Sequence, residues 1–331
     1  MKNARIIGVG HYVPERVVTN HDLEKMMDTS DEWIRERTGI VTRHWVREGE
    51  TITDLAYNAT NMALERAGLK PEDIDFIIVA SIAGDAQFPG NGCFLQARME
   101  IPGVPAMDIR NACSGFVYAL AVADKFIKTE TYRNILVVGA EIQSTGLDLS
   151  TRGRDMAVLF GDGAGAAVVT ATDEPDRGIL TTHLHADGRY ATKLWSEFPS
   201  VINHPYITHE IVDSDRIYPK MEGRYVFKHA VSKFPEAIME ALEATGYTVE
   251  DLDLVIPHQA NQRITEAVAQ KLGISMDKIV SNIHKYGNTT AASIPIAMSE
   301  AWEEGRIKDG DLICLAAFGA GFTWGSVLLR W

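Results

Sequence analysis

Three residue types in this chain suit acyl transfer, and each sits in a short stretch that looks built for a turn. They are Cys113 in "RNACSGF" (110–116), His258 in "PHQAN" and Asn288 in "YGNTTAAS". Cys113 lies between a run ending "VPAMDI", which reads as a buried strand, and "FVYALAVADKFI", which is apolar nearly all round until Asp124 and Lys125 and reads as a core helix. A thiol at a helix N-terminus feels the positive end of the helix dipole, which favours thiolate. Taken alone, Cys113 has two readings, a nucleophile or a small hydrophobe filling a tight turn. A thiol with a histidine nearby attacks acyl groups. A neutral imidazole and an Asn amide can both donate hydrogen bonds to one developing oxyanion or enolate. "AFGAGFTWG" (317–325) adds a Gly-rich turn whose backbone N–H groups offer another wall of such a hole.

The elements that position these residues repeat along the chain. "PEDIDFIIVA" (71–80) and "VEDLDLVIPH" (249–258) share a pattern of acids, an apolar residue, Asp and an apolar strand, 178 residues apart. Each is followed by a helical stretch ("GNGCFLQARMEI", "NQRITEAVAQKLGI") and a strand ("VPAMDI", "DKIVSNI"). A turn opening a helix comes next ("RNACSGFVYAL", "HKYGNTTAASIP"), then a last strand ("NILVVGAE", "DLICLAAF"). The order predicts an internal duplication with two βαβ-rich halves, 1–175 and 176–331, divided in "ATDEPDRG". Polar, Pro-containing residues 185–222 read as an inserted loop region. An offset of 175 places Cys113 opposite Asn288, and His258 falls opposite Ala80 at a strand end. Ligands bind outside the carboxyl ends of strands in α/β sheets, so the three residues are expected to converge. Helices 114–127 and 289–303 would form the buried central pair, with Pro295 making the start of the second irregular.

Composition narrows the function classes. A chain of 331 residues, 46% hydrophobic, is long enough for about two domains of ~150 residues. It has no run approaching the ~18 apolar residues of a membrane helix. "MKNARIIGVGHYVPERVV" lacks the apolar stretch and cleavage site of a signal peptide, so a soluble cytoplasmic protein with no membrane role is expected. Cys93, Cys113 and Cys314 are odd in number and widely spaced, against both a disulfide framework and a structural zinc site. "HLH" (183–185) is the only close histidine pair, and its rings are expected on opposite faces of a strand, so no metal site is assigned. A net charge of −13 argues against nucleic acid as a general partner.

Over essentially the whole chain the sequence resembles the β-ketoacyl-[acyl-carrier-protein] synthase III family, the initiating condensing enzymes of type II fatty-acid synthesis. The resemblance rests on "DTSDEWIRERTGI" (28–40), "ACSGF" (112–116), "LFGDGAGAAV" (159–168), "HLHADG" (183–188), "PHQANQRI" (257–264), "GNTTAAS" (287–293) and "AFGAGFTWGS" (317–326). It implies an α/β thiolase-like fold of two pseudo-symmetric duplicated halves in five layers, α-β-α-β-α. It implies an acyltransferase that condenses an acyl-CoA primer, foremost acetyl-CoA, with malonyl-acyl carrier protein. The products would be 3-ketoacyl-acyl carrier protein, coenzyme A and carbon dioxide, formed through an acyl-Cys113 intermediate with no permanently bound cofactor.

Residue by residue, the resemblance implies that Cys113 is the acyl acceptor and that His258 and Asn288 promote decarboxylation. The amides of Cys113 and Ala320 would form the oxyanion hole, with Ala standing where the family often has Gly. Trp33, Arg37 and Arg154 match residues that hold the coenzyme A nucleotide, with Arg152 the alternative to Arg154, and Asn261 matches a pantetheine contact. Phe88, Phe160 and Phe318 match the acyl pocket and its surroundings, Phe88 reaching across a homodimer interface. Lys228, Arg263 and Lys271 match or neighbour the basic surface that docks acyl carrier protein. A degradative thiolase needs a second cysteine in the C-terminal Gly-rich loop, and "AFGAGFTWG" has none. A condensing enzyme using longer primers, or acting in a secondary or acyl-CoA/acyl-CoA pathway, is the alternative. The stretch 196–219 is longer than expected and is predicted to border the acyl pocket.

Overall fold

Alternation of buried residues along the strands sets the architecture. In the computed structural model, which describes residues 2–331, a five-stranded sheet is ordered β1-β5-β4-β2-β3. Its strands are β1 (Asn3–Tyr12), β2 (Phe76–Ala80), β3 (Ala106–Ile109), β4 (Asn134–Glu141) and β5 (Gly163–Thr172). A four-stranded sheet is ordered β7-β8-β9-β6, from β6 (Gly178–Ala186), β7 (Leu254–Pro257), β8 (Leu312–Gly319) and β9 (Thr323–Arg330). Along β2, Phe76, Ile78 and Ala80 face one core, and Ile77 and Val79 face another. In β8, Ile313 and Leu315 face the first core, and Cys314 and Ala316 face a third. A period of two therefore gives each sheet two apolar faces, and both must be covered.

Helices cover them in three layers. The outer layer on the first sheet holds α2 (Ile52–Ala67) and α3 (Asn91–Arg98), packed through Leu55, Ala59, Ala63 and Leu95. The central layer holds α4 (Gly115–Lys128) and α7 (Ser293–Glu303), with Phe116, Leu120, Ile294 and Met298 shared between both sheets. The outer layer on the second sheet holds α5 (Gly223–Thr245) and α6 (Gln262–Leu272), through Phe234, Ile238, Ile264 and Val268. The result is the five-layered α-β-α-β-α arrangement of a thiolase-like fold. Helix α1 (Asp31–Thr38), capped by Ser30, lies outside this stack and packs against α6.

The repeat is more regular than the sequence suggested, and its register differs. Equivalent elements start 178 residues apart: β2 and β7 (76, 254), β4 and β8 (134, 312), α4 and α7 (115, 293), and the 3₁₀ turns before those helices (Ala112–Ser114, Thr290–Ala292). The only non-glycine residues of positive φ in those turns, Ala112 (45°) and Thr290 (51°), obey the same offset. Cys113 thus corresponds to Ala291, and Asn288 to Arg110, so the expected 175-residue pairing is three residues out. Cys113 belongs to its turn, whereas Asn288 precedes its own.

Three further expectations are corrected. "DKIVSNI" is not a strand; only a single parallel bridge joins Ile279 to Val255, because Ser281 onward turns toward a short helical segment, Ile283–Tyr286. His183 and His185 are two apart on β6, so they share a face, and both reach Glu240 of α5 (3.1 and 2.6 Å). No residue of 196–219 lines the main cavity; the flanking Leu194 and Met221, paired in a two-residue ribbon, do. The irregular start of the 289–303 helix is present as the 3₁₀ turn, and Pro295 sits in the first turn of α7, where a missing N–H breaks no helical bond.

The central layer tolerates little extra volume at Gly139. A Cβ there would lie 2.4 Å from the carbonyl oxygen of Ala291. Gly139→Ala is expected to lower unfolding free energy by about 2 kcal/mol or more, because backbone cannot yield as a side chain does. Gly188→Ala, with nothing within 4 Å of the added carbon, should stay within about 0.5 kcal/mol. Denaturant titration of both variants measures this, and equal effects would contradict the packing argument.

Candidate active site

A cavity of about 580 Å³ runs inward from between α1, α5 and α6, and Cys113, His258 and Asn288 all line it. Its size falls within the ~300–1,000 Å³ typical of small-ligand sites. Cys113 is placed by the strained turn before α4. Gly319, at the end of β8, presses against it: a Cβ on Gly319 would lie 2.6 Å from Cys113 Cβ and 3.2 Å from Sγ. The backbone amides of Cys113 and Ala320 favour the charged form of the thiol. Two N–H groups therefore converge where an oxyanion on a Cys113-bound acyl group would form.

Asn288 is held by its backbone and by one side-chain bond. Its N–H donates to Leu159 O (2.8 Å), and its carbonyl accepts from Gly161 N–H (3.1 Å). The Thr290 N–H donates to Asn288 Oδ1 (2.9 Å). With its oxygen so engaged, the amide is oriented to offer Nδ2 as a donor. His258 follows β7 and is only 2% exposed; its Nδ1 lies 2.6 Å from Ser293 Oγ. Gln259, also buried, clamps the local backbone by donating to Pro257 O and Val280 O and accepting from Asn282 N–H.

Burial governs the charge states. It pushes the His258 imidazole down to about 3, so the ring is neutral. Burial, reinforced by nearby Glu141, pushes the Cys113 thiol up to about 12, against the opposing effect of the two amides. The expectation that the helix dipole favours thiolate is thus overturned, because desolvation outweighs it. Glu141 is itself pushed up to about 8 by burial, although Ile82 N–H and Gln143 Nε2 donate to it. Among the described residues, no group of three or more His, Cys, Asp or Glu is arranged to hold a metal ion.

The mouth carries aromatic and cationic groups. The Arg37 and Arg154 guanidiniums lie 4.8 and 4.5 Å from the Trp33 ring centroid, an arrangement suited to a planar anionic ligand. Arg152 points elsewhere, to Asp148 (2.7 Å) and over Tyr218. Asn261 caps α6, accepting from Arg263 N–H and donating to Arg37 O, and it lines the cavity. Phe160, Phe318 and Arg263 line it too. Lys228 and Lys271 are exposed outside it, Lys271 donating to Val231 O. Phe88 is 82% exposed and outside the cavity of its own chain. The sequence reading missed Ser293, Gln259, Glu141 and Gly319. Ser293, Gln259 and Gly319 lie inside the motifs "GNTTAAS", "PHQAN" and "AFGAGFTWG", and Glu141 ends an apolar strand, where a carboxylate is out of place.

Fold and cavity are those of an acyltransferase of the thiolase type. The model described as 3-oxoacyl-[acyl-carrier-protein (ACP)] synthase III matches residues 107–188, and that for the C-terminal part of the same family matches 242–331. A curated relative from Thioalkalivibrio sulfidiphilus, named β-ketoacyl-[acyl-carrier-protein] synthase III, is 49% identical over all of both chains. Another of that name from Caldanaerobacter subterraneus is 48% identical over 99% of this chain and 98% of the relative. The crystal structure of 3-oxoacyl-[acyl-carrier-protein] synthase III from Aquifex aeolicus superposes with a TM-score of 0.91, at 47% identity, over 99% of this chain and 100% of that one. The chain belongs to the 3-oxoacyl-[acyl-carrier-protein] synthase III family.

The high thiol pKa has a direct consequence. Alkylation of Cys113 by iodoacetamide requires thiolate, so its rate should keep rising close to ten-fold per pH unit up to about pH 10. Peptide mapping after timed labelling follows Cys113 separately from Cys93 and Cys314. A plateau below pH 8 would contradict the desolvated neutral thiol.

Proposed function

We propose that this chain catalyses decarboxylative condensation of an acyl-CoA primer, acetyl-CoA foremost, with malonyl-[acyl-carrier protein], through acyl-Cys113. The observation that carries the reading is one cavity holding a thiol beside two backbone amides together with a neutral imidazole and an oriented Asn amide.

In the first half-reaction Cys113 Sγ attacks the thioester carbonyl, and the oxyanion sits on the amides of Cys113 and Ala320. The carbon–sulfur bond to coenzyme A breaks, and the thiol proton leaves with coenzyme A. In the second, the malonyl thioester loses carbon dioxide. The enolate oxygen is held by His258 and Asn288, which need supply hydrogen bonds but no strong base. The enolate carbon attacks the acyl-Cys113 carbonyl, and collapse expels the Cys113 thiolate. The thiolate takes one proton from solvent, and the 3-ketoacyl thioester departs.

Trp33, Arg37 and Arg154 hold the nucleotide of coenzyme A, and Asn261 meets its pantetheine arm. Arg154 is favoured over Arg152 because it packs on Trp33, whereas Arg152 is committed to Asp148. Phe160 and Phe318 border the acyl group. The halves 1–175 and 176–331 supply Cys113 and the His258–Asn288 pair respectively. Lys228, Arg263 and Lys271 receive the acidic carrier protein. A homodimer brings the partner's Phe88 to the acyl pocket, a role that fits the exposure of Phe88. The reaction needs no permanently bound cofactor. The enzyme works in the cytoplasm, and no helix among the described residues is long and apolar enough to cross a membrane.

The test is a chain-length series. Purified protein receives malonyl-carrier protein and acyl-CoA primers from acetyl to dodecanoyl, and product masses are recorded beside Cys113→Ala. Acetyl-led 3-ketoacyl product, lost in the variant, is expected. Preference for long primers would replace the initiating role with that of a specialised condensing enzyme, and equal product from Cys113→Ala would overturn the mechanism.

A further inference from the structure

The His258 ring can act as a donor to a thioester carbonyl only if the proton rides on Nε2. The protein must therefore fix which nitrogen carries it. Ser293, the first residue of α7, supplies the means. Its Oγ lies 2.6 Å from His258 Nδ1 and 3.3 Å from the Gln259 amide nitrogen, and the residue is 2% exposed.

A hydroxyl has one proton and two lone pairs. The Gln259 N–H can only donate, so it occupies one lone pair of Ser293 Oγ. The Ser293 proton then needs an acceptor, and His258 Nδ1 is the only one within hydrogen-bond distance among the described residues. With the proton on Nδ1 instead, two N–H groups would converge on Oγ and the hydroxyl proton would be buried without a partner. Buried polar groups are rarely left so.

We infer that Ser293 is a positioning residue: it donates to His258 Nδ1, excludes the proton from that nitrogen, and so keeps Nε2–H as the donor in the cavity. The Gln259 amide sets the direction of this donation, and the Gln259 side chain, bonded to Pro257 O, Val280 O and Asn282 N–H, holds that amide in place. The chain of orientation thus runs from backbone to hydroxyl to ring. Asn288 is oriented in parallel by the Thr290 amide, so both donors of the decarboxylation step are set by groups in the 3₁₀ turn before α7 and at the first residue of α7. The inference rests on the condensing role of His258, and it concerns the second half-reaction alone.

The experiment reads the tautomer and the two half-reactions separately. ¹⁵N spectra of histidine-labelled protein at pH 7, with His258 assigned by difference from His258→Asn, should show protonated Nε2 and bare Nδ1. In Ser293→Ala the single tautomer should be lost. Carbon dioxide release from malonyl-carrier protein should then fall on the order of ten- to a hundred-fold. Transfer of acetyl from acetyl-CoA to Cys113 should change by less than about three-fold. Ser293→Thr, which keeps the hydroxyl, should restore both the spectrum and carbon dioxide release. Protonated Nδ1 in the unsubstituted protein would overturn the inference. So would an unchanged tautomer in Ser293→Ala, or equal loss of the two half-reactions there. If Ser293→Ala fails to fold, the unsubstituted and Thr spectra decide the matter. The spectrum of the unsubstituted protein is read whether or not it condenses acyl groups, so failure of the assigned reaction is distinguishable from failure of the tautomer.

Discussion

Two residues without glycine's freedom are held in the left-handed region, and the site depends on them. Ala112 (φ 45°) and Thr290 (φ 51°) each begin a 3₁₀ turn that feeds a central helix, and the two turns pack on one another. Such conformations cost on the order of 1–3 kcal/mol each and persist only where their surroundings impose them. Here the surroundings are the two sheets. Gly139 leaves just enough room for the Ala291 carbonyl, and Gly115 meets Ala80 and Ala291. The duplicated turn delivers Cys113 in one half. In the other it delivers the Thr290 amide that orients Asn288, and Ser293 beside His258.

The electrostatic character of the site follows from the same burial. A protein of net charge −13 encloses a neutral thiol, a neutral imidazole and a carboxamide, with Glu141 the nearby carboxyl that burial also pushes toward its neutral form. Hydrogen-bond donors, not fixed cations, face the places where the proposed reaction develops negative charge. Fixed donors in a site with little water stabilise transient oxyanions without solvent reorganisation. Permanent positive charge lines the cavity on Arg37, Arg224 and Arg263, and Arg154 joins Arg37 beside Trp33, where an anionic nucleotide would remain in contact with water.

Much of this was legible in the sequence because it was written in periodicity. Strand alternation, helix patterns and the recurrence of "PEDIDFIIVA" as "VEDLDLVIPH" led to the duplicated α/β fold. The motifs around Cys113, His258 and Asn288 brought together residues that share one cavity. What escaped depends on long-range packing. The 175-residue register aligned two chemically interesting side chains, whereas the fold aligns helix starts, so Cys113 matches Ala291. The preference for thiolate followed from the local dipole, and only the folded core reveals the larger opposing effect of desolvation. "DKIVSNI" has a strand's composition but retains one bridge, because the chain turns away after Val280. That Arg154 packs on Trp33 while Arg152 bonds Asp148 depends on the placement of Trp33 and Asp148, which spacing does not supply.

Passage of the acyl group through Cys113 can be observed by trapping the intermediate. Protein incubated with acetyl-CoA alone would be digested in acid and its cysteine peptides read by mass spectrometry. One acetyl group is expected on the Cys113 peptide, none on those of Cys93 or Cys314, and it should disappear when malonyl-carrier protein is added. An unmodified Cys113 peptide from protein that nevertheless forms 3-ketoacyl product, or an acetyl group that malonyl-carrier protein does not remove, would contradict passage through Cys113.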